Sequence, residues 1–207
     1  CQASMIKKFM KNEMERIIII TLMCNHISGN TATKMLLQKQ GIKDENFTID
    51  YRGNGWPGYM QINNQLVNKF RSIYGGGFGR YFSTTRCKLC DNHLGEDSAI
   101  TVGDPYFWSA ENKSGNTFCI CRDRKLSDLI DDMIKRGIIE ENFPQINEDV
   151  LREAYKGIYR AEAKVPGYLK IRKKIGKAIP LGSELYLNRR LKFENIKDFI
   201  RCYKDKL

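Results

Sequence analysis

Four cysteines have the residue type and spacing of a site for a metal ion or an inorganic cluster. Cys87 and Cys90 form a Cys-x-x-Cys pair, whose two sulfurs can turn toward a common point. Cys1 begins the sequence and Cys24 ends an apolar run, so these two residues can complete a set of four thiolates. Such a set binds a [4Fe–4S] cluster or a structural zinc ion, and spacing alone does not separate them. The alternative is a reduced Cys-x-x-Cys pair beside two ordinary cysteines.

The other cysteines and both histidines are predicted to be structural. Cys119 and Cys121 alternate along one expected strand, so their side chains point to the same face, and we interpret them as buried. The same interpretation applies to Cys202. His26 and His93 each lie in a turn within reach of the cysteine site, where a histidine is more often a hydrogen-bonded structural residue than a ligand.

A seven-residue loop, Arg52-Gly-Asn-Gly-Trp-Pro-Gly58, combines a cation and an indole with backbone amides that glycine leaves accessible. Arg52 suits a phosphate and Trp56 suits the face of a planar ring, so Arg52, Asn54, Gly55 and Trp56 are candidates for binding an anionic, planar ligand. The alternative is a glycine-rich hairpin that contains a packed tryptophan.

A second glycine-rich segment, residues 75–79, lies just before the Cys-x-x-Cys pair. Gly77 and Gly79 allow close approach of the backbone to a ligand, and Arg80 and Arg86 could bind phosphate. The segment fits neither GxGxxG nor GxxxxGK[ST], so a dinucleotide-binding fold and a nucleoside triphosphatase are not supported. The sequence also has no serine nucleophile elbow, HExxH or paired-carboxylate motif, which disfavours hydrolases.

The composition is that of a globular protein with a basic end. The 207 residues are 42% apolar and suffice for one good-sized domain or a domain with an appendage. The apolar run at 17–23 is too short to span a bilayer. With seven cysteines and no signal peptide, we expect a cytoplasmic, reducing location. Sixteen Lys and Arg against six acids give residues 150–207 a charge of +10 out of the total of +11.

The sequence predicts an α/β fold, in which a mixed sheet with flanking helices is followed by a basic, mainly helical C-terminal tail. The strand at 16–23 is expected to be central in a buried sheet and to form an α/β unit with the next helix and strand. We expect a domain over 1–149 and an extension over 150–207. From Val165 the helical pattern degrades at Gly167, Gly176, Pro180 and Gly182, and it recovers only at 183–204. The expected helices are 4–15, 31–40, 126–136 and 147–159, and the expected strands are 16–23, 47–51, 59–63, 66–70, 99–102 and 117–122.

Six ordered motifs resemble the C-terminal region of the coenzyme F420 hydrogenase/dehydrogenase beta-subunit family. They are CQ at the start, LMCNHISG, DYRGNGWPG, GRYFSTTRCKLCDNH, ITVGDPYFW and SGNTFCICR. The resemblance covers about residues 1–137. It implies an iron–sulfur flavoprotein that binds FAD and a [4Fe–4S] cluster. Such a protein passes electrons between a ferredoxin-type donor or hydrogenase and a deazaflavin or another organic acceptor.

The resemblance also implies residue roles. Cys1, Cys24, Cys87 and Cys90 fall on the family's recurring cysteines and are the implied cluster ligands. The residues implied to lie near the flavin are Arg52, Asn54, Gly55, Trp56, Gly77, Gly79, Arg80, Thr117 and Arg122. Two departures are Asn92, where the family usually has Asp, and Ala99, where it has an acid; these losses are expected to alter proton coupling or weaken the substrate site. The family's N-terminal portion is absent from this sequence, which therefore looks like a fragment.

We therefore expect an iron–sulfur flavin oxidoreductase domain whose partners are a ferredoxin or another redox protein and an organic acceptor. The competing hypothesis is a non-redox module with zinc or free cysteines, whose basic tail docks on a membrane surface or an acidic partner. Homo-oligomer formation is left open. Nucleic-acid binding is not expected, because the tail's tyrosines serve equally well as core or interface residues.

Overall fold

The computed structural model describes residues 1–43, 46–56, 58–69, 79, 81–104, 115–142 and 147–180. Its helices are α1 (Gln2–Phe9), a 3-10 helix (Lys11–Arg16), α2 (Asn30–Lys39), α3 (Thr85–Lys88), α4 (Arg124–Lys135), α5 (Glu148–Ala154) and α6 (Lys156–Lys174). Its strands are β1 (Ile20–Leu22), β2 (Ile49–Gly53), β3 (Tyr59–Ile62), β4 (Gln65–Lys69), β5 (Ile100–Gly103) and β6 (Phe118–Cys121). The α/β fold class is confirmed.

One sheet is a local meander of β2, β3 and β4. Asn63 and Asn64 both have positive φ, 49° and 62°, which is the backbone of a type I′ turn and which asparagine tolerates. The predicted hairpin around these two residues is therefore confirmed. Helix α2 packs on this sheet through a small core, which comprises Leu36, Leu37, Met60 and Ile62.

The second sheet has the order β1-β5-β6, with β1 parallel to β5 and β6 antiparallel to β5. The expectation that the first strand would be central was wrong. Within the described chain β1 is an edge strand, and Ile20 and Leu22 are 60% and 73% exposed. Their apolar character therefore does not come from burial in the centre of this sheet.

The strand–helix–strand unit expected at the start of the chain was also wrong. Strand β1 pairs with β5, about 80 positions along the chain, whereas β2 pairs with its neighbour β3. The two strands that flank α2 therefore lie in different sheets. Strand β2 finds its partner locally, in the meander whose next turn is formed by Asn63 and Asn64. The alternation of strand, helix and strand along the sequence does not reveal this pairing.

Helix α6 extends further than the sequence predicted. It continues through Pro166 and Gly167 to Lys174, where the sequence suggested that the helical pattern would degrade. Val165, Pro166 and Gly167 are all buried, so tertiary packing compensates for two residues that weaken an isolated helix.

Helix α6 also covers one face of the second sheet. Leu94, Tyr155 and Ile158 form a buried cluster, against which Met23, Phe118 and Ile120 pack. None of the helices in the described ranges is long and apolar enough to cross a membrane. The basic segment at 181–207, including the helix expected at 183–204 and Cys202, lies outside the described residues.

Candidate functional site

The Cys-x-x-Cys pair is built on the short helix α3. The Thr84 hydroxyl caps this helix: it accepts a hydrogen bond from the Cys87 N–H at 3.3 Å and also lies 3.3 Å from the Cys87 sulfur, to which it can donate. The Cys90 N–H donates to the Cys87 carbonyl at 3.3 Å, which continues the turn. Both cysteines are half-buried. Helix α3 and the turn that follows it thus carry the two cysteines.

Cys24 is held against the segment that follows this pair. Its N–H donates to the His93 carbonyl at 3.0 Å, and the His93 ring Nδ1 lies 2.7 Å from the Cys24 carbonyl. A carbonyl oxygen only accepts, so Nδ1 carries the proton. His93 is 2% exposed. The prediction that His93 is a hydrogen-bonded structural residue is confirmed.

Cys1 reaches the same region because helix α1 is anchored at Asp97. The Ser4 hydroxyl donates to the Asp97 carboxylate at 2.5 Å, and the Lys7 ammonium lies 3.6 Å from it. The hydrogen bond from Ser4 and the charge of Lys7 hold the pKa of Asp97 below its usual value, although partial burial opposes this. The carboxylate therefore joins the first helix to the loop that follows the Cys-x-x-Cys pair.

Asn92 takes part in the same anchor. Its side-chain amide donates to Asp97 at 3.2 Å, and its side-chain oxygen accepts from the Glu96 N–H at 2.7 Å. An ionised Asp at position 92 could accept from Glu96 but could not donate, and its charge would face Asp97. The amide at this position is therefore matched to Asp97.

The thiols of Cys24, Cys87 and Cys90 are electrostatic neighbours. Although Cys24 is exposed, desolvation by the surrounding protein raises its pKa, and the nearby thiols of Cys87 and Cys90 raise it further, whereas the N-terminal amine of Cys1 lowers it. Three distant parts of the chain, which carry the four predicted ligands, thus meet around Cys24. Among the residues that the structure describes, no three His, Cys, Asp or Glu side chains form a closed group for a metal ion.

A cavity of about 460 Å³ lies beside the second sheet, a volume in the range of about 300–1,000 Å³ that is typical of small-molecule sites. Four of the predicted ligand-binding residues line it, namely Arg52, Gly55, Trp56 and Thr117. Sequence reasoning missed three further lining residues, which are Asp104, Gly115 and Asn116. The signals for them were the Gly-Asp pair that ends β5 and the Ser-Gly-Asn sequence that precedes β6.

An ion pair closes one wall of this cavity. The Arg52 guanidinium donates to the Asp104 carboxylate at 2.7 Å, and each side chain is about one-third exposed. The Tyr155 hydroxyl donates to the Asp104 backbone carbonyl at 2.7 Å. The wall thus brings together β2, the end of β5 and the start of α6. Because Asp104 balances the charge of Arg52, the wall presents polar groups with little net charge.

Glycine shapes the part of the lining around Trp56. Gly115 has a φ of +74°, and a Cβ added there would lie 2.8 Å from the Cγ atom of the Trp56 indole. The backbone therefore lies directly against the indole ring, which only glycine allows. Gly58, with a φ of +89°, approaches the Arg52 side chain in the same way.

The other described residues implied to lie near a flavin, Asn54, Gly79 and Arg122, are not among those that line the cavity. The Arg122 guanidinium donates to Thr101 at 2.8 Å and to the Leu94 carbonyl at 3.0 Å, and Arg122 is not among the lining residues. Asn54 has a φ of +56° and adjoins the lining residue Gly55. Gly79 is buried, and its carbonyl accepts from Ser28 at 2.8 Å. Gly77 and Arg80 lie outside the described residues.

The prediction that Cys119 is buried was wrong, since Cys119 is exposed and Cys121 is half-buried. Phe118 and Ile120 pack on the cluster around Tyr155, so the alternating cysteines face away from helix α6. Placing both cysteines on one face was correct, but the sequence did not show which face is covered.

One layer of side chains connects the cysteine site and the cavity. Met23, next to Cys24, packs against the buried cluster that contains Tyr155, and Tyr155 is bonded to the cavity residue Asp104. The Phe118 and Tyr155 rings pack at a centroid distance of 5.9 Å. The two sites are therefore parts of one packed unit.

Comparison with known proteins identifies a family. Residues 1–145 match the family model that describes the C terminus of the beta subunit in coenzyme F420 hydrogenase/dehydrogenase. No curated protein and no solved structure matches the chain.

Proposed function

The chain belongs to the coenzyme F420 hydrogenase/dehydrogenase beta-subunit family, and on this premise we propose that it is an iron–sulfur flavoprotein oxidoreductase domain. The family name supports a redox activity. The finer assignment, which is a [4Fe–4S] cluster at the cysteine site and a flavin in the cavity, rests on the residues themselves.

The cysteine site has the donor set of an iron–sulfur cluster. Cys1, Cys24, Cys87 and Cys90 would supply four thiolates, the usual complement of a [4Fe–4S] cluster. The hydrogen bonds between Cys24 and His93 and the cap at Thr84 would orient two of these ligands. The observation that carries this proposal is that the four cysteines lie near one another around Cys24. The thiols of Cys87 and Cys90 and the amine of Cys1 all act on the pKa of Cys24.

The residues that line the cavity support binding of part of a flavin there. Trp56 offers an aromatic wall, and the amides around Gly55 and Gly115 can approach a ring closely. Arg52 can donate to a phosphate or a ring carbonyl from its position beside Asp104. A bound flavin would accept and release electrons, and the chain would hold it near the cluster and exclude water.

A direction of electron flow is part of the proposal. A ferredoxin-type protein would deliver electrons at the cysteine side, and an organic acceptor would react at the cavity side. Ser4, Thr84 and His93 position the cysteine side through hydrogen bonds. Arg52 and Asp104 set the polarity at the acceptor side.

The test is the content of iron, sulfide, zinc and flavin in anaerobically purified protein, measured beside the variant Cys87→Ser. We expect about four irons per chain together with a flavin, because four thiolates hold one cubane cluster. We also expect the iron to be lost from the variant. One zinc per chain without flavin would contradict the proposal and favour a structural module.

A further inference from the structure

Helix α6 and its N-cap residue contact both parts of the proposed redox unit through one face. Tyr155, Ile158 and Glu162 are spaced by three and four residues, which places them on the same side of the helix. All three lie beyond residue 145, where the family match ends. The family match therefore assigns no role to these three residues.

Glu162 meets the cysteine side. Its carboxylate accepts from the His93 N–H at 3.2 Å, and it is half-buried. The same His93 binds Cys24 through both its backbone carbonyl and its ring. Glu162 therefore fixes His93, which in turn hydrogen-bonds to Cys24. Helix α6 also contacts helix α3, which carries Cys87.

Tyr155 meets the cavity side. Its hydroxyl donates to the carbonyl of Asp104, whose carboxylate binds Arg52. The Tyr155 side chain is 8% exposed and packs against Phe118. Between the two ends of this face, Ile158 is buried in the same cluster as Leu94. The face is thus continuous from His93 to Asp104.

We propose that Glu162 and Tyr155 are positioning residues, through which helix α6 fixes the cysteine site and the cavity relative to each other. This inference rests on the proposed function for the identity of the two ligands. The physical claim about Glu162 and Cys24 does not require either ligand to be bound. Tyr155 at the start of helix α6 and Glu162 two turns further on each make one polar contact, so the two sites share one rigid element.

The first test is the alkylation rate of Cys24 by iodoacetamide in the metal-free full chain, followed by peptide mass spectrometry. Cys24 is already exposed, so its rate reports how firmly the surrounding segment is fixed rather than an opening step. Glu162→Ala removes the acceptor for the His93 N–H, and we expect Cys24 to react up to about fivefold faster, because His93 no longer fixes the backbone of Cys24. Glu162→Gln retains an acceptor oxygen and should restore a rate near that of the wild type. The control Glu153→Ala removes an exposed carboxylate of α5 and should leave the rate unchanged.

A second measurement covers the case in which Glu162→Ala does not fold. Hydrogen exchange of the His93 amide in the wild-type chain should be slow, because the amide donates to a half-buried carboxylate. Fast exchange of this amide would overturn the proposal. Equal alkylation rates in the wild type and Glu162→Ala, or equally raised rates in Glu162→Gln and Glu162→Ala, would also overturn it.

The third test joins the two sites. Added FAD should slow alkylation of Cys24 in the wild type, because binding at the cavity stabilises helix α6 and the coupling is reciprocal. Without FAD, Cys24 in Tyr155→Phe should be alkylated at the wild-type rate. With FAD, this variant should lose at least half of the protection seen in the wild type, whereas the control Tyr159→Phe should keep the full protection. Full protection in Tyr155→Phe would refute its positioning role. Failure of FAD to bind the wild type would contradict the proposed flavin site, and the alkylation rates without FAD would still decide the role of Glu162.

Discussion

The cysteine site and the cavity are positioned by different kinds of interaction. Individual hydrogen bonds join the cysteine ligands across long sequence separations, as between Ser4 and Asp97 or Cys24 and His93. The cavity is shaped by glycine backbone and by one ion pair, that between Arg52 and Asp104. The geometry of the cysteine site therefore depends on individual hydrogen-bonding atoms, whereas the cavity depends mainly on the shape of its lining. Substitutions should cause abrupt loss at the cysteine site and graded loss at the cavity.

The largest effect is expected for Cys24→Ser. Cys24 is the residue around which the other cysteines meet, and a serine hydroxyl does not replace a thiolate as a ligand of iron. We expect loss of nearly all bound iron, measured by iron and sulfide analysis and by the visible absorption of the cluster.

Cys119→Ser is the matched control, because Cys119 is an exposed cysteine on the face of the second sheet that points away from helix α6. It should keep the iron content of the wild type. Equal losses in the two variants would mean that general thiol chemistry, and not the proposed ligand set, determines iron binding.

Gly115→Ala should weaken the cavity in a graded way. Alanine would require a φ of +74° and would push its Cβ into the Trp56 indole. We expect a loss of about 1–3 kcal/mol in the free energy of unfolding from the backbone strain. We also expect flavin binding weakened by about tenfold, the effect of roughly 1.4 kcal/mol of lost contact with a displaced Trp56.

Gly137→Ala separates strain from shape. Gly137 has a similar φ of +69°, but a Cβ there has no atom within 4 Å. It should lose stability as Gly115→Ala does and still bind flavin normally, as flavin titration and chemical denaturation would measure. Weakened flavin binding in Gly137→Ala would show that stability, rather than the shape of the wall, controls the cavity.

Local signals in the sequence predicted several features correctly. The asparagine pair predicted the β3–β4 hairpin, and apolar spacing predicted helix α4, because turn chemistry and helical periodicity are local properties. Residue type and spacing singled out the four cysteines, and the resemblance implied that they are cluster ligands, which stays a prediction. The loop motif supplied Arg52, Gly55 and Trp56, which line the cavity.

The remaining features depend on contacts between distant residues. The pairing of β1 with β5 and the continuation of helix α6 through Pro166 result from packing against partners far along the chain. Arg122 illustrates the same limit: the resemblance implied that it lies near the flavin, but its guanidinium binds Thr101 and the Leu94 carbonyl. Residue type alone does not distinguish these two roles.

Asp104→Asn tests the electrostatic part of the cavity. The Arg52 guanidinium lies 2.7 Å from the Asp104 carboxylate, and both side chains are about one-third exposed. Loss of this pair should therefore cost about 1 kcal/mol in the free energy of unfolding, at the upper end for partly exposed pairs. Without the carboxylate, Arg52 should bind inorganic phosphate more strongly, because its charge is no longer balanced. Chemical denaturation and phosphate titration measure the two effects.

Asp132→Asn provides the comparison for an exposed pair. Asp132 faces Arg136 at 3.4 Å on helix α4, and both side chains are more than half exposed. Its loss should cost at most about 0.5 kcal/mol, since solvent screens such pairs. A loss as large as that of Asp104→Asn would mean that the cavity pair is no stronger than a surface pair.

A similarly small effect is expected for Asp97→Asn, and it depends on pH. The pKa of Asp97 is lowered in the folded chain by the Ser4 hydrogen bond and by Lys7. Its carboxylate therefore stabilises the fold above its ordinary pKa of 3.8, and this contribution is lost as the pH falls through the lower, folded value. Because the side chain is 37% exposed, the variant should lose only about 0.5 kcal/mol at pH 7.

The pH dependence decides whether the anchor acts through charge. The stability difference between the wild type and Asp97→Asn should shrink as the pH falls below 3.8, because the wild-type carboxyl then also becomes neutral. Denaturation at pH values from about 7 down to about 3 measures this change, with Asp131→Asn on helix α4 as the control. A difference that stays constant with pH would mean that the shape of the side chain anchors helix α1. Asp97 would then resemble the residues of the cavity, and the contrast between the two regions would not extend to this anchor.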